Sequence, residues 1–181
     1  MREETAVEVD LAIRRILLIH SVILTIGGVP LIYLGDEVGQ LNDTSYQKDP
    51  AKANDSRWVH RPRLNWEKVE RRRIAGSVEA QVFEGLRQAT TLRRTHPVFS
   101  GQHTQAIQTG NRHVLGFVRS HGSDRALILA NFSEREQTVA ANLLRMHAMG
   151  YELMDMVSQS PVPYQDLRLE PYQFRCMEAA K

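Results

Sequence analysis

The chain has 181 residues, 42% hydrophobic and 24% charged, with 23 Lys plus Arg against 21 Asp plus Glu. That length allows one domain, or a small domain plus part of another, and is too short for a complete (β/α)8 barrel of about 250 residues. The composition excludes a disordered chain, and a single cysteine, Cys176, excludes an intramolecular disulfide or a Cys-rich zinc site.

Residues 6–26 read as an amphipathic helix. Leu11, Ala12, Ile16, Ile19 and Ile23 recur at helical spacing with Arg14 and Arg15 on another face, and Gly27-Gly28 is the stop. Residues 16–35 carry no Asp, Glu, Lys or Arg over 20 positions, a membrane-spanning length. The glycine pair and Pro30 divide that run, so a helix, a break and a strand are expected, with no membrane partner. Glu3, Glu4, Glu8 and Asp10 stand where a signal peptide would need basic residues. With no targeting signal read, a cytoplasmic (bacterial) location is the expectation.

The run PLIYL at 30–34 is continuously apolar, which suggests a strand buried on both faces as in a parallel sheet. From Gly35 to about Gly76 no periodicity appears. Such a stretch is far longer than the usual loop of about 2–6 residues after a strand in an α/β unit. Long loops at that edge of a parallel sheet are where active sites are built. The loop holds both tryptophans, Trp58 and Trp66, among Asn, Asp and Arg. Pyranose rings stack on aromatic faces and their hydroxyls pair with charged groups, so a sugar ligand is the favoured reading over a solvated insertion. Arg57, after Asn54-Asp55-Ser56 and before Trp58, is suited to clamp a carboxylate bidentately. Asp36 and Glu37 are adjacent and would point to opposite sides in extended backbone. They cannot alone form a glycosidase pair and are read as shaping the loop through backbone amides.

Residues 57–94 carry 10 basic and 4 acidic residues, a local +6. No aromatic groups interleave with those charges, and a solvated face beside a helix outweighs nucleic-acid binding. Ser77 to Thr95 is the second helix: Ser77 caps it, Val78, Val82, Leu86, Ala89 and Leu92 form one face, and Pro97 ends it. Beyond about 98 the texture changes to short strand-like runs: QAIQT, HVLGFVRS, RALILANF, QTVAANL, YELMDMV and DLRLEPYQFRCMEA. Turn-formers such as Ser158-Gln159-Ser160-Pro161 separate them, and strands without intervening helices imply an antiparallel β-sandwich. The seven histidines have no HExxH or i, i+4 pairing, so no metal is expected, and no nucleotide or hydrolase-elbow motif occurs. No cofactor is expected. His20 and Cys176 are read as buried packing residues.

GGVPLIYLGDEVG resembles the eighth barrel strand and following loop of family 13 glycoside hydrolases, the α-amylase family. LNDTSYQKDPAKANDSRWVHRPRLNW is similar to amylosucrase and related sucrose hydrolases, and LRLEPYQ to the last strand of their C-terminal domain. The resemblance implies an α+β fragment. Residues 1–97 would be the last helix–strand–loop–helix part of a (β/α)8 TIM barrel, and residues 98–181 an antiparallel β-sandwich, domain C. It further implies a retaining transfer of glucose from sucrose to an α-1,4-glucan or to water. The nucleophile, acid/base and transition-state-stabilising carboxylates of that family belong to strands four, five and seven, so no catalytic residue is assigned here. Arg57 matches the arginine that pairs with an upstream aspartate to close the glucose pocket. Asp36, Glu37, Trp58 and His60 complete the candidate substrate-binding set.

The chain alone is therefore expected to be inactive, with sucrose, α-1,4-glucan and the missing N-terminal part of the barrel as partners. A stand-alone carbohydrate-binding or interaction module is the alternative. The resemblance implies that polymerase and hydrolase members differ at acceptor-site residues largely outside this chain. The first helix is expected to leave an apolar face uncovered.

Overall fold

The computed structural model describes residues 4–148 and 152–180. Tyr151, the first residue of the expected strand YELMDMV, lies outside the described residues. The chain divides into two compact units, one of 1–30 with 85–181 and one of 31–84. This cut falls elsewhere than the texture change near residue 98.

In the larger unit, helix α1 covers Ala6–Thr25 and opens on a capping box. The Glu8 amide donates to the Thr5 hydroxyl at 3.3 Å, and the Thr5 amide to the Glu8 carboxylate at 2.8 Å. Its buried side is Ile13, Leu18 and Leu24, with Leu18 packed beside Ala130 and Tyr172. Of the stripe read from the sequence, Leu11 packs against that cluster, whereas Ile19 and Ile23 remain 43% and 38% exposed. From Ile16 onward the helix has no Asp, Glu, Lys or Arg and only His20, Ser21 and Thr25 are polar, so periodicity alone does not choose which stripe is covered. Among the described residues no helix is long and apolar enough to cross a membrane.

The C-terminal carbonyls of α1 are taken up by two arginines. Arg93 donates to Leu24 O at 2.5 Å and to Gly28 O at 2.8 Å. Arg119, fully buried, donates to Ile26 O at 3.3 Å, to Phe99 O at 3.4 Å, and to Gly101 O and the Thr104 hydroxyl. Cations there complement the negative end of the helix dipole. Burial and then the neighbouring Arg93 push the Arg119 guanidinium below its ordinary pKa. Gly27 is required at this junction, with φ +125° and an added Cβ only 2.9 Å from Arg119 Nη1.

Helix α3 (Val78–Thr95) follows the expected 77–95. The Ala80 amide donates to the Ser77 hydroxyl at 3.1 Å, which makes Ser77 the cap. At Gly85 an added Cβ would lie 2.5 Å from Leu17 Cδ2, so a glycine lets α1 and α3 approach.

The rest of this unit is antiparallel β-structure. Strands β1 (His103–Ile107), β2 (Val114–His121), β3 (Asp124–Asn131), β5 (Leu153–Asp155), β6 (Ser160–Val162) and β8 (Phe174–Ala179) form one sheet in the order β1-β2-β3-β8-β5-β6. Strands β4 (Gln137–Val139) and β7 (Leu167–Leu169) pair separately. Register places Phe117 opposite Ile128 and Ile128 opposite Cys176. On one face Val118, Leu127, Leu129 and Met177 meet Val139, Leu144, Leu167 and Leu169. On the other, Phe117, Ala126, Ile128 and Cys176 meet Leu92, Val98 and Phe99. With both faces covered, β3 is buried at every position from Ala126 to Asn131, and each large aliphatic there contributes about 1.5–3 kcal/mol.

Two of the expected strands break up. QTVAANL yields only β4 before helix α4 (Ala141–Ala148), whose first amide donates to Asp166 Oδ1 at 3.0 Å. DLRLEPYQFRCMEA splits into β7 and β8 around Tyr172, which has φ +54°.

PLIYL, whose last four residues open the smaller unit, forms no strand. Residues 29–34 are unladdered coil, with Val29, Leu31 and Leu34 98%, 77% and 65% exposed. The reason is elementary: a strand exists only through hydrogen bonds to a neighbour, and among the described residues none pairs with that segment. The stretch after it is ordered rather than a bare insertion. It contains 3-10 turns at Asp36–Val38, Ser45–Lys48 and Ser56–His60, then helix α2 (Trp66–Arg71), with Val38, Val69 and Val82 buried. Asn65 caps α2, its side chain accepting the Lys68 amide at 3.1 Å.

Candidate functional site

The candidate residues all lie in the smaller unit, on a loop that closes on itself. Gln40 ties its two limbs together, donating from Nε2 to Arg63 O at 3.0 Å and accepting the Asn65 amide at Oε1 at 3.2 Å. The Asp43 amide donates to Val59 O at 3.0 Å, and His60 Nδ1 lies 3.2 Å from Asn42 Oδ1.

Asp36 and Glu37 turn back on their own backbone. The Tyr33 amide donates to Asp36 Oδ2 at 3.1 Å, and the Gly35 amide to Glu37 Oε2 at 2.7 Å. These bonds close the turn after residue 34, the role their adjacency suggested. Arg57 does hold a carboxylate bidentately, but that of Asp55 in its own turn. Nε donates to Oδ1 at 2.8 Å and Nη2 to Oδ2 at 2.9 Å, while the Arg57 amide also reaches Oδ1. The guanidinium holds the Asp55 carboxyl below its ordinary pKa, the Arg57 amide adding to this, and Asp55 in return raises Arg57. Similarly, the Ala51 amide and then Lys52 lower Asp49. Trp58 is half-buried with Lys52 Nζ 5.0 Å from its ring centroid, a cation–π contact. Trp66 stands 70% exposed at the start of α2.

An open depression of about 300 Å³ is lined by Tyr33, Arg57, His60 and Arg61. Of the five candidates, the structure brings Arg57 and His60 together there. Asp36, Glu37 and Trp58 do not line it. Tyr33 and Arg61 are lining residues that sequence reasoning missed. Both stand in conspicuous motifs, PLIYL and WVHRPR, where a strand-like run and the neighbouring Arg57 masked them. Among the described residues no group of three His, Cys, Asp or Glu could hold a metal ion.

Comparison with known proteins identifies the C-terminal sheet. Residues 104–176 match the family model for the maltogenic amylase C-terminal domain. The chain is 27% identical over 161 residues to glucosylglycerate phosphorylase of Escherichia coli, covering 88% of this chain and 27% of that protein. It is also 27% identical over 170 residues to trehalose synthase of Thermus thermophilus, covering 83% of this chain and 17% of that protein. The chain thus spans about a quarter or less of the length of these curated relatives. Among solved structures, AmyP bound to maltotriose superimposes with a TM-score of 0.71 at 17% identity, over 91% of this chain and 34% of that one. Trehalose-6-phosphate hydrolase of Bacillus licheniformis gives 0.63 at 16% identity, over 91% and 38%. The α+β architecture with its antiparallel sheet is therefore that of the C-terminal part of α-amylase-family enzymes.

Proposed function

We propose that the chain serves as the C-terminal part of an α-amylase-family retaining transglucosylase or hydrolase acting on sucrose and α-1,4-glucan. Residues 1–97 would supply the end of the barrel and 98–181 domain C. The observation that carries this reading is the alignment of relatives over more than four-fifths of the chain, with the maltogenic-amylase-type sheet at 104–176 inside it. The loop motif around Arg57 and Trp58 supports the finer, sucrose-acting assignment. The exposed apolar segment 29–34 fits a strand whose neighbours come from further chain. In that setting Arg57 and Trp58 help to enclose a glucosyl unit, while Asp36 and Glu37 keep the loop in shape.

Two measurements test this. The purified chain is expected to release no fructose from sucrose, because the resemblance puts the nucleophile and acid/base on other barrel strands; measurable release overturns the expected inactivity of the chain alone. In glucan-affinity electrophoresis the chain is expected to be retarded and Trp58→Ala to migrate freely. Equal mobility of the two removes Trp58 from the sugar site.

A further inference from the structure

The loop that holds the candidate sugar site has two limbs, 33–43 and 57–65, and the depression takes Tyr33 from the first and Arg57, His60 and Arg61 from the second. Near the tip the limbs meet through the Asp43 amide on Val59 O at 3.0 Å and through His60 Nδ1 and Asn42 Oδ1 at 3.2 Å. An amide oxygen only accepts, so the neutral His60 ring carries its proton on Nδ1 and leaves Nε2 an acceptor. Toward the base Gln40 supplies the tie. Its carboxamide donates to Arg63 O at 3.0 Å and accepts the Asn65 amide at 3.2 Å. Those two main-chain groups flank Leu64 and are the pair that one residue of a neighbouring parallel strand would engage. Arg63 O only accepts and the Asn65 N–H only donates, which fixes which way round the carboxamide lies.

Gln40 is itself anchored to the turn that carries Tyr33. Its amide donates to Gly35 O at 3.0 Å, the Asp36 amide donates to Tyr33 O at 3.0 Å, and the Tyr33 amide returns to Asp36 Oδ2 at 3.1 Å. A Cβ on Gly35 would lie 3.1 Å from Gln40 Cβ, so turn and side chain are packed as well as bonded. On the other side Asn65 both donates to Gln40 and caps α2, accepting the Lys68 amide at 3.1 Å. A chain of contacts therefore runs from Tyr33 through Gln40 to the stretch that follows Arg61. We propose that Gln40 is the positioning residue of this site: it does not line the depression, and it sets the separation of Tyr33 from His60 and Arg61 by holding the two limbs together. What the depression binds rests on the sugar-site reading above. Glutamine has both the reach and the two roles this requires, whereas glutamate lacks the donor, asparagine is one methylene shorter and methionine has neither group.

Gln40→Met keeps the length of the side chain and removes both bonds, and Gln47→Met, at an exposed glutamine of the same loop, is the control. NMR of the His60 ring nitrogens in the 181-residue chain reads the limb geometry without a ligand. Wild type and Gln47→Met are expected to keep the proton on Nδ1, and Gln40→Met to move the ring toward the Nε2–H form as the Asn42 bond loosens. Glucan-affinity electrophoresis is expected to show about three- to tenfold weaker binding for Gln40→Met and less than about twofold change for Gln47→Met. Gln40→Glu regains the donor only when protonated, so its deficit against wild type at the same pH should shrink as pH falls toward the ordinary glutamic acid value of about 4.3. An unmoved His60 ring, or Gln40→Met binding glucan as tightly as a wild type that is retarded, overturns the proposal, as does a Gln40→Glu deficit that pH leaves unchanged. Circular dichroism of each variant excludes unfolding as the cause of a loss. A wild-type chain that glucan does not retard, with the His60 ring moved in Gln40→Met, fails the sugar-site reading and leaves the positioning role standing.

Discussion

Replacing Asp155 by alanine is expected to be among the most damaging single changes in the β-structure. This side chain at the end of β5 is 2% exposed. Its Oδ1 accepts the Val157 and Ser158 amides at 3.0 and 2.8 Å and the Ser158 hydroxyl at 3.1 Å. Its Oδ2 lies 2.7 Å from Nε of Arg175 on β8, whose side chain is only 22% exposed. One carboxylate therefore shapes the turn after β5 and neutralises a largely buried cation. Each amide left unpaired costs about 1–3 kcal/mol when buried, and a stranded buried ion about 3–5 kcal/mol. Both amides are only part-buried and water will reach them, so the expected loss for Asp155→Ala is about 4 kcal/mol. Asp155→Asn keeps the Oδ1 acceptor and faces an amide NH2 toward the guanidinium, for a loss of about 2–3 kcal/mol. Pairing Asp155→Asn with Arg175→Met should return about 2 kcal/mol of coupling, since the second change removes the cation that the first leaves unpaired. Urea unfolding followed by circular dichroism reads the wild type, the two Asp155 variants, Arg175→Met and the double variant, with a constant slope confirming that the same surface is exposed in each. A loss under about 1 kcal/mol for Asp155→Ala, or equal losses for alanine and asparagine, would refute the reasoning.

Two further expectations concern titration. Burial pushes the Cys176 thiol well above its ordinary range, with Asp155 and Glu178 adding to the effect. The fold therefore keeps a proton that the unfolded chain loses: this contribution is intact below about pH 8.5 and is lost as pH rises through the higher folded value. Iodoacetamide should label Cys176 only as fast as the chain unfolds, and labelling at the rate of a free thiol in native buffer would contradict the burial. At Asp55 the sign is opposite. The Arg57 fork lowers its pKa, so its contribution is present above the unfolded value near 3.9 and is lost as pH falls through the folded one. An NMR titration should place Asp55 below that ordinary value, with Arg57→Gln moving it back up; an unmoved midpoint would mean that the fork is not formed in solution.

Helices with explicit end signals are legible in the sequence itself. Gly27-Gly28 after the first apolar run, and Ser77 ahead of an apolar stripe closed by Pro97, are local codes that need only a few consecutive residues. The antiparallel character of the C-terminal half is legible too, because turn-formers recur between short apolar runs. Local codes fail where a partner decides the outcome. PLIYL has the continuous apolar run of a buried strand, yet among the described residues no neighbour completes its ladder. QTVAANL reads as one strand and becomes a short strand plus α4.

The candidate site divides along the same line. The sequence by itself determined that the long loop is rich in Arg and Trp, that Asp36 and Glu37 are too close in sequence to act as a catalytic pair, and that Arg57 suits a bidentate carboxylate. Only the tertiary structure decided which carboxylate Arg57 holds, and that Tyr33, His60 and Arg61 share one depression with it. It likewise decided which stripe of α1 is covered. The physical reason is common to these cases. Propensity and capping act within a few residues, whereas ladder partners, covered faces and converging side chains depend on segments far apart in the chain, so their energies are assigned only when the whole chain has folded.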